Sequence, residues 1–104
     1  MEQLITGVII ESLTLEEFSR AVKAKREVII EMVEYNLFQP EGQRPDEWRF
    51  DSISLKKGKI AASFYQDLEV NMQGVALALQ LMDKIENLQQ QLTVFEKLTH
   101  PKSF

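Results

Sequence analysis

Leu81, Ile85, Leu88, Leu92 and Phe95 recur at spacings of four, three, four and three, the repeat of a helix that buries one narrow apolar seam. Gln89, Gln90 and Gln91 flank the seam and no second apolar face develops, so this is not a helix buried all round. Asn71 is a suitable cap before it and Pro101 lies just beyond its end, which predicts a helix over about 72–98. At 1.5 Å per residue such a helix is about 40 Å long, more than one small core requires. A chain of 104 residues supports one core and not two. The seam therefore predicts a mainly α protein, with residues 1–70 as a folded domain and 71–104 as a long helix and short tail. Two copies are expected to pair as a homodimeric coiled coil through Leu81, Ile85, Leu88, Leu92 and Phe95. Two heptads alone make a marginal helix, so Val75–Leu81 is expected to belong to the domain core and support the seam.

The first seventy residues show finer signals. Leu4–Ile10, rich in β-branched residues, predicts a short strand. Thr14 and Glu17 have the spacing of a capping box, and Leu13 and Phe18 that of a hydrophobic staple. With Leu15, Phe18 and Val22 at helical spacing, they predict a helix over 15–22. After Lys23-Ala24-Lys25 a second helix runs to about Tyr35, with Ile29, Met32 and Val33 facing the core and Leu37 and Phe38 closing it. Asn36 supplies the left-handed residue that ends this helix. Residues 39–46 hold two prolines and a glycine, which is loop chemistry. Glu47-Trp48-Arg49-Phe50 alternates polar and aromatic, as a half-buried strand pairing with Leu4–Ile10 would. Asp51 is placed to cap a third helix to about Leu68, with Ile53, Ile60, Ala61, Phe64 and Leu68 inward. Gly58 in its middle should weaken that helix by about 1 kcal/mol relative to Ala.

Composition narrows the chemistry. Without cysteine the chain has no disulfide, no thiolate nucleophile and no cysteine-based metal site. His100 is the sole histidine and lies past the last helix, a poor place for a catalytic base or metal ligand. The four glycines are scattered, so no phosphate-cradling loop exists. Glu16–Glu17 and Asp46–Glu47 fall at a helix start and in a loop, where solvation accounts for them. These observations argue for a binding protein, not an enzyme, with no cofactor and no metal. Met1–Ile5 lacks the basic and apolar regions of a signal peptide, and no stretch reaches the ~18 apolar residues of a membrane span. A cytoplasmic address is expected.

The net charge of −4, from 16 acids and 12 bases, suits a basic partner better than a phosphate backbone. Glu27, Glu31 and Glu34 are spaced i, i+4, i+7 and form one stripe on the second helix, opposite Ile29, Met32 and Val33.

Two short helices, a strand-bearing loop, a third helix and a long pairing helix together resemble the MerR-type winged helix-turn-helix. Tyr35-Asn36-Leu37-Phe38-Gln39-Pro40 stands where that family has a glycine-leucine-proline stretch, and Trp48-Arg49-Phe50 where its wing has an aromatic-arginine-aromatic run. The chain resembles more closely the CbpM-type chaperone modulators, MerR-like proteins that bind the J-domain of the DnaJ homologue CbpA. Trp48, Phe50-Asp51, Gly74-Val75-Ala76-Leu77-Ala78-Leu79, Leu81-Met82-Asp83 and His100-Pro101 carry this likeness, which spans roughly residues 4–101. The resemblance implies a protein that occupies the J-domain of a CbpA/DnaJ-type co-chaperone and keeps it from engaging the Hsp70 DnaK. That J-domain surface is basic in the family, so Glu27, Glu31 and Glu34, with Tyr35 as a neighbouring anchor, become the expected contact residues. The alternative is a MerR-like DNA-binding regulator using Lys23, Lys25, Arg26, Arg44, Arg49, Lys56, Lys57 and Lys59. In a helix-turn-helix the exposed face of the second helix enters the major groove, where three carboxylates would meet phosphates.

Overall fold

Every helix start that the sequence marks is built as marked in the computed structural model, which describes residues 12–99. At α1 (Leu15–Val22) the Glu17 N–H donates to Thr14 Oγ1 at 3.1 Å, and the Thr14 N–H donates to Glu17 Oε1 at 2.9 Å. That second bond holds the Glu17 carboxyl below its ordinary 4.5. Lys23 ends α1 in the left-handed region at φ 65°, and the Ala24 N–H reaches back to the Ser19 carbonyl at 3.1 Å. A non-glycine residue there costs about 1–2 kcal/mol. The cost is offset by burial of Ala24, by the Ser19 hydroxyl donating to the Ala24 carbonyl, and by Gln66 Nε2 donating to the Lys23 carbonyl. This tight turn swings α2 (Arg26–Glu34) across α1. Asn36, at φ 63°, repeats the same stop at the end of α2 and folds Leu37 and Phe38 inward.

The core forms where α1 and α2 meet α3 (Ser52–Ala62) and the base of α4 (Met72–Thr99). Phe18 stacks on Phe50 with ring centres 4.1 Å apart, and Phe38 meets Phe18 edge-on at 5.4 Å. Ile29, Met32, Met72 and Val75 complete it from the two flanking helices.

Several expectations need correcting. The strand at Glu47–Phe50 is reduced among the described residues to two isolated bridges, Leu13 with Phe50 and Glu41 with Arg49. Trp48 and Phe50 do turn inward, as the alternation requires, but Glu47 is taken up by a 3-10 turn, Pro45–Glu47. Pro40 and Pro45 lack the N–H groups a longer ladder would use. The other expected strand, Leu4–Ile10, lies outside the described residues, as do His100 and Pro101.

The third helix departs more. It stops being α-helical at Ala62 and continues as a π-helical turn, Ser63–Asp67, closed by the Leu68 N–H on the Ser63 carbonyl at 3.3 Å. The extra residue per turn breaks the 3.6 period and carries Leu68 outward, 63% exposed. Ile53 is also outside, 68% exposed, because the buried face of α3 is made of small residues: Ser54, Gly58, Ala61 and Ala62. On α4, burial ends at Leu79; Leu81 is already 50% exposed and does not belong to the core.

Asp51 caps α3, its Oδ1 accepting from the Ser54 N–H at 2.8 Å, and that bond holds its carboxyl below the ordinary 3.8. As pH falls below the ordinary value the unfolded chain takes up the proton first, so the cap's contribution is full above that value. It is lost by the time pH has dropped past the lower folded value. Asp51→Ala is expected to cost about 1 kcal/mol at neutral pH, read from urea unfolding, with wild type and variant converging in acid. Equal stability at neutral pH would show that the cap contributes nothing.

Candidate functional site

The stripe expected on α2 is present but uneven. Glu27 and Glu34 are exposed, Glu31 is half-buried, and Tyr35 is 39% exposed just past the helix end. Among the described residues none of the three carboxylates forms an ion pair, so their charge is directed at solvent and at whatever arrives from it.

Glu31 and Tyr35 also form one wall of an open groove of about 540 Å³ whose opposite side comes from the segment linking the π-helical turn to α4. Tyr65, Glu69 and Val70 line that side, ending at the cap of α4, where Asn71 Oδ1 accepts from the Gly74 N–H at 2.8 Å. Glu27 and Glu34 do not line the groove. The fold thus brings Glu31 and Tyr35 together with two residues that the sequence reading missed, Tyr65 and Glu69. Their signal was hidden because the path of residues 63–70 depends on the π-helical turn and on Glu69 adopting φ 56°. Two aromatic hydroxyls and two carboxylates along one cleft offer amphipathic contact area with acceptors for cationic side chains. Tyrosine is among the residues that most often dominate binding energy when buried by a partner.

The basic residues are less available. Arg26 is paired with Glu16 at 3.1 Å, Lys57 with Asp83 at 3.7 Å, and Arg44 stands 3.5 Å from both Asp46 and Glu47. Lys23, Lys25, Arg49, Lys56 and Lys59 remain exposed.

The second candidate surface is the outer part of α4. Leu81, Ile85, Leu88, Leu92 and Phe95 are between 50% and 62% exposed, and every residue from Gln80 to Thr99 is exposed. More than two thirds of this 28-residue helix therefore leaves the domain with its apolar seam uncovered. Among the described residues no helix is long and apolar enough to cross a membrane, and no cluster of acids and histidines could hold a metal ion.

A short helical pair closed by a tight turn, a bridged loop and a long helix define a class, and comparison with known families agrees. Residues 13–97 match the family described as MerR HTH family regulatory protein, and the chain belongs to it. Within that class it belongs with the chaperone modulatory proteins named CbpM. It is 54% identical over 99 residues to the Chaperone modulatory protein CbpM of Coxiella burnetii (strain Dugway 5J108-111), covering 92% of this chain and 93% of that one. It is 28% identical over 93 residues to the protein of the same name from Pseudomonas entomophila (strain L48), covering 89% and 92%. It is 27% identical over 93 residues to that of Pseudomonas putida (strain W619), covering 89% and 92%. These names are regulatory and modulatory, not enzymatic, and they support a chaperone-modulating role.

Proposed function

We propose that this protein binds the J-domain of a CbpA/DnaJ-type co-chaperone in the cytoplasm and blocks its engagement of the Hsp70 DnaK. The observation that carries the reading is an acidic α2 face, Glu27, Glu31 and Glu34, without ion-pair partners among the described residues and standing beside a groove lined by Tyr35 and Tyr65. Carboxylates held on a rigid helix accelerate encounter with a basic surface and set its orientation, while the tyrosines supply contact area. The working form is a homodimer, residues 1–70 forming each J-domain-binding head and residues 71–104 the pairing arm, with Leu81, Ile85, Leu88, Leu92 and Phe95 as the seam.

The test is capture of purified J-domains at increasing ionic strength, with a DNA mobility-shift assay on the same preparation. Binding to one CbpA-type J-domain should weaken by about tenfold between low and physiological salt, as partly exposed ion pairs are screened. Capture indifferent to salt would remove the acidic face from the reading. The other reading, a MerR-like DNA-binding regulator, draws on the exposed Lys23, Lys25, Arg49, Lys56 and Lys59. A DNA shift without J-domain capture would replace the chaperone reading with that one.

A further inference from the structure

We infer that the groove between α3 and α4 is a docking site for residues 4–10 of the same chain. The groove measures about 670 Å³ and is lined by Ile53, Ile60, Leu79, Met82 and Ile85, with Lys56 among its polar residues. Ile53, Met82 and Ile85 are 68%, 40% and 54% exposed, so the described residues leave an apolar trough whose burial would be favourable. Of the pairing seam only Ile85 lines it, so an occupant here leaves the rest of the seam free.

The backbone at Ser12 and Leu13 sets the direction of entry. Leu13 and Phe50 exchange both hydrogen bonds, at 2.9 and 2.8 Å, in an antiparallel bridge. In that register residue 15 stands opposite residue 48, and residue 11 opposite residue 52. α1 begins at Leu15 and α3 at Ser52, so this ladder can grow in neither direction. The other edge is taken too, because Arg49 exchanges both of its backbone bonds with Glu41. Arg49 and Phe50 thus offer no free edge for a further strand, and the register aims the preceding chain past the first turn of α3. Ser12 lies there already, lining a small cleft with Asp51 and Ser54, and the groove opens at Ser52 and Ile53 in the same helical turn.

Length and chemistry fit. Leu4, Ile5, Val8, Ile9 and Ile10 make five of these seven residues large and apolar, and none of the seven is charged. At about 3.3 Å per extended residue the segment can reach about 23 Å. The α4 wall of the groove, from Leu79 to Gln89, is about 15 Å long at about 1.5 Å per residue. Glu11, which joins the segment to Ser12, carries the charge that complements Lys56. A segment tethered at the groove's mouth acts at an effective concentration on the order of millimolar, which favours it over a free peptide of the same composition. Docked there, it adds apolar contact where the Lys57–Asp83 ion pair, at 3.7 Å, already joins α3 to α4.

The chain contains no cysteine, so introduced thiols report this contact alone. Ile53→Cys is combined in the full chain with Val8→Cys, Ile9→Cys or Ile10→Cys in turn and mildly oxidised at low protein concentration. At least one pair should lose both free thiols while still migrating as a monomer on a non-reducing gel. No disulfide in any of the three would overturn the proposal. A covalent dimer from the same pairs would overturn it in favour of a second copy's segment in the groove. A stability readout is independent of the thiols. Ile53→Asp should lower the urea midpoint of the full chain, because it places a carboxylate beneath the docked segment. It should have no effect in a chain already carrying Val8→Asp, Ile9→Asp and Ile10→Asp. Equal effects in both backgrounds, or none in either, would show that the two sites do not meet and overturn the proposal.

Discussion

Glu27→Lys, Glu31→Lys and Glu34→Lys made together are expected to abolish J-domain capture and leave the fold unchanged. The two halves of that expectation have separate causes. Ile29 and Met32, the fully buried residues of α2, point away from the stripe, and none of the three carboxylates caps a helix or forms an ion pair among the described residues. Their replacement should leave the circular dichroism spectrum and the unfolding midpoint near wild type, since substitutions away from the core, caps and ion pairs usually stay within about 0.5 kcal/mol. Binding, by contrast, loses three attractive contacts and gains three repulsive ones against a basic surface. Coupling energies for close interfacial charge pairs begin at about 1.5 kcal/mol, so the combined loss should exceed about a thousandfold in Kd. The graded series identifies the part that matters. Glu31→Lys alone should weaken binding more than Glu27→Lys if the partner enters the groove, because only Glu31 lines it. Glu69→Lys and Tyr65→Ala should then weaken it as well, although both lie outside α2. A triple variant that binds normally would discard the acidic face while leaving family membership intact.

The uneven legibility of the chain has a physical pattern. Local chemistry could be read: Thr14 with Glu17, Asp51 and Asn71 are caps whose partners lie three residues away, so spacing alone specifies the bond. The seam could be read for the same reason, since a heptad repeat is a property of one helix. What could not be read depends on how elements meet. Lys23 in a left-handed turn carries no glycine or asparagine to announce it, and it is held from outside by Ala24 and Gln66. The buried face of α3 carries no large apolar residue to mark it, because the helix buries Ser54, Gly58 and Ala61 and meets α1 closely at Gly58. The groove beside α2 was half visible: Glu31 and Tyr35 follow from periodicity, but Tyr65 and Glu69 depend on a π-helical turn that no local pattern marks.

At Gly58 helix propensity and packing disagree in sign. Read as a helix position, Gly58→Ala should stabilise the protein by about 1 kcal/mol. In the fold a β-carbon at residue 58 would lie 2.9 Å from Phe18 Cζ and 3.0 Å from Val22 Cγ2. Phe18 has no room to yield, being fully buried, stacked on Phe50 and met edge-on by Phe38. Overpacking a core of this kind costs about 1–3 kcal/mol per added group, which cancels and then exceeds the propensity gain. Gly58→Ala is therefore expected to destabilise by about 1 kcal/mol net, and Gly58→Val, with two further methyl groups against the same ring, by about 3 kcal/mol or more. Pairing Gly58→Ala with Phe18→Leu should recover part of the loss, since the shorter side chain withdraws the atoms that clash. Urea unfolding of these variants decides the matter. A stabilised Gly58→Ala would mean that α1 and α3 are not pressed together at this point, and the close crossing that positions α2 and its acidic face would have to be redrawn.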